Sequence, residues 1–442
     1  MIASWKPGAE IRYHSSLAGA IGTHSPLILS LDQGAFPFEG FAERFLEEVE
    51  KPDVSVAYSA YETDRGTHET IPFNGDFTER FPFGPVRAYS GPLIAGLELA
   101  GFPNAWEYHA RLILEEKGLV PSAVDEPLYF HGPDILPRPD LRKYLDSKTE
   151  KRDPLYSDSF AYLQYPAGVD SELREVFFQM LRRRCAFLPE VKPAREFPGG
   201  RGEYPVMASV LLTAWNRQDF ISDAVRSALD QDYYDYEVMV LDNSSEDGTR
   251  ERVMSFQDPK LRLVQHPRGS IAFALNTGLK EARGKYILQL DSDDAFTPET
   301  VRAMVEAMEA DPGCGLSISY YQLCNEDLNP MPNGIVKHAE YDRNNILRCD
   351  GAGAVRCWRK SVLEEIGGFN EEFGNYGEDY DAVLKVSERY RVNRVHQVLY
   401  LYRRHPGSQD FIQPKAKRLA NKTRIRLLAL ERRKKMVQHL EG

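Results

Sequence analysis

The chain has 442 residues, 42% of them hydrophobic and 27% charged, which is enough for two or three ordinary domains and is a globular rather than a disordered mixture. A formal net charge of −11 excludes a surface built as a nucleic-acid footprint, and no run of about 18 apolar residues that could span a membrane occurs. The cysteines (Cys185, Cys314, Cys324, Cys349 and Cys357) are odd in number, irregularly spaced and without a CxxC pair, which argues against a disulfide framework or zinc knuckle and fits a reducing compartment.

Met1 to Pro7 lacks an apolar leader core, so the expectation is a cytoplasmic protein that could still lie against the inner face of a membrane. In chain order, the stretch 136–203 reads as a linker. It holds a helix over Ser171 to Arg184 and then a Pro- and Gly-rich exposed connector, Pro189 to Gly202. Val206 to Leu212 is an apolar run with β-branched residues and reads as a buried strand. Phe220, Ala224, Val225 and Ala228 fall at helical spacing within 219–231. Glu237 to Asp242 is a second strand ending on an acid, 247–256 a helix, Arg262 to Val264 a third strand, and Ala272 to Ala282 a helix. Lys285 to Asp291 is another strand ending on an acid. This alternation implies an α/β fold with a mostly parallel sheet covered on both faces. Ligands of such sheets bind at the carboxyl ends of the strands, where Asp242 and Asp291 lie.

The chain also resembles itself. The segment Leu29–Phe36 (LSLDQGAF) resembles Leu288–Phe296 (LQLDSDDAF). At a constant offset, Glu39 then pairs with Glu299, Pro52 with Pro312, Ser59 with Ser319 and Tyr61 with Tyr321. Val86–Tyr89 echoes Val355–Trp358, Leu99–Phe102 echoes Ile366–Phe369, and Tyr108, Ala110 and Leu112 echo Tyr380, Ala382 and Leu384. Val124 with Leu128 and Tyr129 echoes Val395 with Leu399 and Tyr400. Preserved order in five segments reads as a decayed partial duplication, with no counterpart to 204–260 in the first copy.

Asp291-Ser292-Asp293-Asp294 follows an apolar strand directly. Carboxylates one residue apart at a strand end can face a common point, and a hard divalent cation takes one or two such carboxylates together with substrate phosphates. Alone, the cluster could equally be an acidic turn before a helix. Three further elements accompany it: Asp242–Thr249 after the second strand, Asn276-Thr277-Gly278 with Ala282-Arg283-Gly284, and Gly377-Glu378-Asp379-Tyr380-Asp381 followed by Arg403-Arg404-His405.

In this order and spacing, residues 204–410 resemble the family 2 glycosyltransferases, which have the GT-A fold. The resemblance implies a metal-assisted, inverting enzyme that moves a sugar from a nucleotide-sugar donor, a UDP-sugar favoured, to a hydroxyl acceptor such as a glycan or glycolipid. It also implies roles. Asp242 would bind the nucleobase, with Thr213, Ala214, Trp215, Asn216 and Arg217 lining its pocket. Asn276, Asp291 and Ser292 would complete the donor site, Asp291 by the ribose. Asp293 and His405 would hold Mn²⁺ or Mg²⁺, and Asp379 would be the general base beside Glu378. Thr213 and Trp215 stand where the family usually has proline and tyrosine, which leaves an aromatic face for stacking. The absence of a QxxRW motif implies one sugar per binding event rather than processive synthesis.

The organisation expected is a degenerate GT-A-like domain over 1–135, the linker, a catalytic domain over 204–410 and a basic helix over 411–442. The first copy keeps Asp32 at the position of Asp291, but Gln33 and Gly34 stand at the following acids, and Trp106 and Glu107 align with Glu378 and Asp379. Independent catalysis by it is therefore not expected. The tail over 415–435 carries ten basic residues against Glu431, which suits a helix packed on the domain or a contact with anionic membrane. Self-association is left open. A sugar nucleotidyltransferase is one rival reading, although Thr213–Arg217 has no glycine for a phosphate loop; a non-catalytic nucleotide-sugar binder is another.

Overall fold

The computed structural model describes residues 2–6, 12–14, 17–32, 35–64, 66–79, 81, 83–99, 101–132, 167–408 and 412–441. Residues 136–166 of the expected linker, and Gln33 and Gly34, lie outside them. The described residues form two compact units, the first within 2–132 and 167–183, the second within 184–441.

In the first unit the elements run β1 (Ile2–Trp5), β2 (Arg12–His14), α1 (Leu17–Ile21), β3 (Leu27–Leu31), β4 (Ala35–Pro37), α2 (Phe41–Val49), β5 (Val54–Thr63), β6 (Gly66–His68), β7 (Val86–Ser90), α3 (Gly91–Ala95), α4 (Trp106–Glu116), β8 (Val120–His131) and α5 (Ala167–Arg183). Among the described residues the sheet order is β2-β1-β3-β7-β5-β8-β4, with β6 on β5. Successive side chains of a strand point to opposite faces. Leu27, Leu29 and Leu31 of β3 accordingly join Phe41, Phe45 and Val49 of α2 on one side, and Ile28 joins Trp106, Ala110 and Leu114 of α4 on the other. Helix α5, expected in the linker, belongs to this unit. Phe177 stacks on Phe77 with ring centroids 6.2 Å apart, and Arg183 meets Glu116 at 2.8 Å.

The second unit continues with β9 (Val206–Ala214), α6 (Ile221–Leu229), β10 (Tyr236–Asp242), α7 (Thr249–Met254), β11 (Leu261–Gln265), α8 (Ile271–Glu281), β12 (Gly284–Asp291), β13 (Ala295–Phe296), α9 (Thr300–Glu309), β14 (Cys314–Cys324), β15 (Pro330–Val336), β16 (Arg356–Arg359), α10 (Lys360–Glu365), α11 (Glu378–Arg389), β17 (Arg391–Arg403) and α12 (Lys415–Glu441). The sheet order is β11-β10-β9-β12-β16-β14-β17-β13, with β15 on β14. The first four strands are parallel as expected. Beyond β12 the sheet is mixed, because β16 returns antiparallel to both β12 and β14. The sheet of the α/β fold thus has a parallel half, β11-β10-β9-β12, and a mixed half, β16-β14-β17-β13. Gly278 and Gly284 set the layer spacing. A Cβ at Gly278 would stand 2.6 Å from Leu241, and one at Gly284 2.4 Å from the Ser209 backbone nitrogen.

The connector 189–202 is mostly exposed, yet it is fastened to the second unit. Lys285 donates to the carbonyls of Pro198 and Gly200, and the Arg359 guanidinium lies 4.3 Å from the Phe197 ring centroid. No helix among the described residues is long and apolar enough to cross a membrane.

The two sheets share a path. The run β3-β7-β5-β8-β4 has the same order and the same strand directions as β12-β16-β14-β17-β13, and β6 sits on β5 as β15 sits on β14. Where the second unit adds β9, β10 and β11 to this run, the first adds the antiparallel pair β1–β2.

Candidate active site

Strand register brings the expected acids together. Asp242 pairs with Ala214 across β10 and β9, and Asp291 pairs with Thr213 across β12 and β9. Both acids therefore flank the end of one central strand. Asp242 is fully buried; its carboxylate accepts from the Ser245 N–H at 3.0 Å and from the Arg250 guanidinium at 2.9 Å. Two loops form the rim and are laced to each other. The Asn216 N–H donates to Ser245 Oγ, Asn216 Oδ1 accepts from the Glu246 N–H, and the Arg217 N–H donates to Thr249 Oγ1. Asn216 has φ +51°, and its short polar side chain suits that left-handed turn. Trp215 is 38% exposed, with the Arg268 guanidinium 4.0 Å from its ring centroid. A cation thus lies over one face of a ring that remains partly exposed.

The acidic turn is built asymmetrically. Asp294 is buried and accepts from the Tyr400 hydroxyl and the Arg403 N–H, both at 2.7 Å. Burial, with Asp293 and Asp291 close by, pushes its carboxyl well above the usual range. Asp291 stays exposed at the strand end; partial loss of solvent, then repulsion by Asp293, pushes its carboxyl above the usual range. Asp293 goes the other way. Burial works to raise it, but a 2.9 Å hydrogen bond with His405 Nε2 and the Arg217 guanidinium 3.7 Å away outweigh burial and hold it below the usual range. The His405 ring packs on Phe220 at 4.5 Å. Arg403, buried, stitches the turn by donating to the Asp293 carbonyl and to Asp223.

A resident cation can be tested against these residues. Asp293 and His405 offer one carboxylate and one imidazole side by side. Among the described residues no trio of His, Cys, Asp or Glu side chains is arranged to hold a metal ion. The residues therefore fit an ion whose remaining ligands come from elsewhere, as Mg²⁺ and Mn²⁺ bound to substrate phosphates do.

The opposite wall is the start of α11. Gly377, with φ +103°, turns the chain into that helix. Asp379 meets the Arg356 guanidinium at 2.6 Å, while Glu378 is buried with Oε2 lacking a hydrogen-bond partner. Burial first, then the charges of Asp379 and Asp291, push the Glu378 carboxyl well above its ordinary value. Helix α12 braces this loop. Asn421 donates to the Tyr376 carbonyl at 2.9 Å, and Ile425 lies where a Cβ on Gly377 would reach. The expected basic tail is thus largely committed to the domain: Lys422 pairs with Asp350, Arg432 with Glu388, and Arg433 is fully buried.

The structure brings Thr213, Ala214, Trp215, Asn216, Arg217, Asp242, Asp291, Asp293, His405, Glu378 and Asp379 to the carboxyl end of the sheet. Two expected donor residues differ. Ser292 is buried under the turn. The Asn276 carboxamide is engaged in structure: Nδ2 donates to the Phe369 carbonyl at 2.8 Å and to Glu371 at 3.0 Å, and Oδ1 accepts from the Phe369 N–H at 2.9 Å. Asn276 clamps the Gly367-Gly368-Phe369 turn, where Gly368 has φ +70°. Sequence reading gave no role to Arg250, Arg356 or Tyr400, and named Arg403 only as part of the Arg403-Arg404-His405 element. Arg356 and Tyr400 had a signal, since both fall in segments repeated in the first copy, at Val86–Tyr89 and at Leu128-Tyr129, while Arg250 had none beyond its neighbours.

Residues 209–367 match the model of glycosyl transferase family 2. Hyaluronan synthase of Pasteurella multocida is 27% identical over 248 residues, covering 54% of this chain and 25% of that protein. Chondroitin synthase of the same species is 30% identical over 196 residues, covering 44% and 20%. A UDP-Glc:α-D-GlcNAc-diphosphoundecaprenol β-1,3-glucosyltransferase of Escherichia coli is 29% identical over 153 residues, covering 34% and 58%. The chain thus spans about a quarter or less of the two synthases. A crystal structure of Staphylococcus aureus TarS with UDP matches at TM-score 0.38 and 21% identity over 46% of this chain and 62% of that one. Residues 209–367, within the second unit, thus carry the signature of glycosyl transferase family 2, and the relatives that overlap this stretch are glycosyltransferases and polysaccharide synthases.

Proposed function

We propose that the second unit transfers one sugar per binding event from a nucleoside-diphosphate donor, a UDP-sugar favoured, to a hydroxyl of a glycan or glycolipid in surface polysaccharide assembly, with inversion. The observation that carries this is the pairing of two walls around one crevice. Asp242 and Asp291 end parallel strands on one side, with Asp293 in the turn that follows, and Asp379 opens α11 on the other, near enough that one arginine, Arg356, acts on both Asp291 and Asp379. The relatives named for UDP-glucose transfer and for hyaluronan and chondroitin synthesis support the donor class and the polysaccharide setting.

In the bound state the nucleobase stacks on Trp215 and presents its edge to Asp242 and Arg250, an acceptor beside a donor. That pairing suits an imide edge such as uracil's. Asp293 and His405 would hold a divalent cation, which offsets the charge building on the leaving diphosphate. Asp379 takes the proton from the acceptor hydroxyl as that oxygen attacks the anomeric carbon. The bond from that carbon to the phosphate oxygen breaks on the opposite side, and the nucleoside diphosphate leaves. Attack and departure on opposite faces invert the centre.

The shared strand path supports reading the first unit as a partial duplicate that kept the mixed half of the fold and lost the nucleotide half. A thermal-shift panel of UDP-, GDP- and dTDP-sugars with Mn²⁺ and Mg²⁺ tests the donor assignment. Stabilisation by a UDP-sugar that depends on the ion is expected; an equal response to all three nucleotides would overturn it.

A further inference from the structure

Among the described residues the same arginine–carboxylate couple occurs in both units, at equivalent places. Register sets the equivalence. Ile28 faces Tyr89 across β3 and β7 as Ile287 faces Trp358 across β12 and β16. Counting along the strands, Ser30 corresponds to Gln289, Asp32 to Asp291, Arg87 to Arg356 and Glu107, early in α4, to Asp379, early in α11. Arg87 meets Glu107 at 3.0 Å and Asp32 at 2.9 Å. Arg356 meets Asp379 at 2.6 Å, and its guanidinium is held charged, against burial, by Asp379, Asp350 and Asp291.

What surrounds each couple differs. In the first unit the Glu107 carboxylate is saturated. It accepts from Ser30 Oγ at 2.5 Å, the Tyr89 hydroxyl at 2.9 Å, Arg87 Nε at 3.0 Å and Arg87 Nη2 at 3.2 Å. Four donors fill the lone-pair positions of a carboxylate, which leaves none for a substrate proton. In the second unit the two uncharged partners are withdrawn. Trp358 Nε1 donates to Gln289 Oε1 at 2.8 Å, so these side chains satisfy each other. The Asp379 side chain is left with Arg356 on Oδ2 and the Tyr380 N–H on Oδ1. Among the described residues no further donor is recorded on either oxygen, which leaves each a lone pair.

We propose that Arg356 is a positioning residue for transfer: it clamps one oxygen of Asp379 and so orients the open lone pairs toward the acceptor hydroxyl. This rests on Asp379 acting as the base. The two units then show one clamp in two states, with the carboxylate closed off in the first and left partly open in the second. A guanidinium is suited to the task because its planar fork fixes both distance and direction to a carboxylate, which an ammonium does not. Displacing a reacting group by about 1 Å costs on the order of 100-fold in rate, and the loss falls on turnover rather than on donor binding.

The test uses the full chain with the nucleotide sugar that the thermal-shift panel selects, reading nucleoside-diphosphate release as kcat and donor KM for wild type, Arg356→Met, Arg356→Lys and Asp379→Asn. For Arg356→Met the expectation is a kcat lower by about 100-fold with donor KM within threefold. Arg356→Lys should recover part of that loss, because a cation returns without the fork. If Arg356→Met does not fold, Arg356→Lys carries the test through a lowered kcat at unchanged KM. Wild-type kcat in Arg356→Met, or a loss confined to KM in either variant, would overturn the proposal. Full turnover in Asp379→Asn would instead overturn the base assignment on which it rests.

Discussion

Asn276→Ala separates a donor ligand from a structural clamp, since sequence reading placed Asn276 in the donor site and the structure gives its carboxamide three backbone and side-chain partners. The substitution removes the acceptor for the Phe369 N–H and the donor for the Phe369 carbonyl. The Glu371 contact is solvent-exposed and contributes little. Phe369 itself is buried, 1% exposed, so its freed backbone groups sit at the margin of the core, where an unmet group costs about 1–3 kcal/mol. Two such groups, partly relieved by water, give a loss of about 2–4 kcal/mol. For a unit of this size that is a fall in Tm of roughly 5–15 °C. The assay is a thermal melt of the full chain beside calorimetric binding of UDP with Mn²⁺. The expected result is the lowered Tm with UDP affinity within about twofold of wild type at a temperature where both are folded. An unchanged Tm with UDP affinity weakened tenfold or more would refute the clamp and restore Asn276 to the donor site.

Asp293→Ala should abolish the part of UDP binding that depends on Mn²⁺, because only His405 would then remain of the side-chain pair; calorimetry with and without EDTA checks it, and an unaltered response to the ion would contradict the placement. Glu378→Gln should change stability with a definite sign. A carboxyl whose folded-state value is raised binds protons more tightly in the native state, so its contribution is favourable below about pH 4.5 and is lost as pH rises through the folded value. Glutamine mimics the protonated form and does not titrate. The Tm advantage of Glu378→Gln over wild type should therefore be negligible near pH 4 and grow toward pH 8, and a pH-independent difference would refute it.

The parallel half was legible in the sequence because β9, β10 and β12 are short apolar runs, the last two ending on an acid, and burial on both faces writes itself as composition. Asp242, Asp291 and Asp293 were found that way, and the chain's echo of itself pointed to a run of strands that the two sheets do share. The rest depends on contacts distant in sequence. Asn276 and Phe369 are 93 residues apart, and nothing local to Asn276 marks a side chain that caps a left-handed glycine turn. The mixed half was illegible for a similar reason, since β16 is four residues long and its antiparallel placement follows from its neighbours, not its composition. The role of α12 was open between membrane and domain, and its buried Arg426 and Arg433 show why charge counts mislead: guanidinium stems pack as apolar material while the heads reach backbone carbonyls.

The central claim is that one crevice in the second unit performs the transfer, with Asp379 taking the proton. Its most direct test is single-turnover release of the nucleoside diphosphate by Asp379→Asn under saturating donor, with donor affinity measured alongside. The account predicts a rate lower by about 100- to 10,000-fold with donor affinity retained. A rate within a few-fold of wild type, or a loss of donor affinity that accounts for the whole effect, would contradict it.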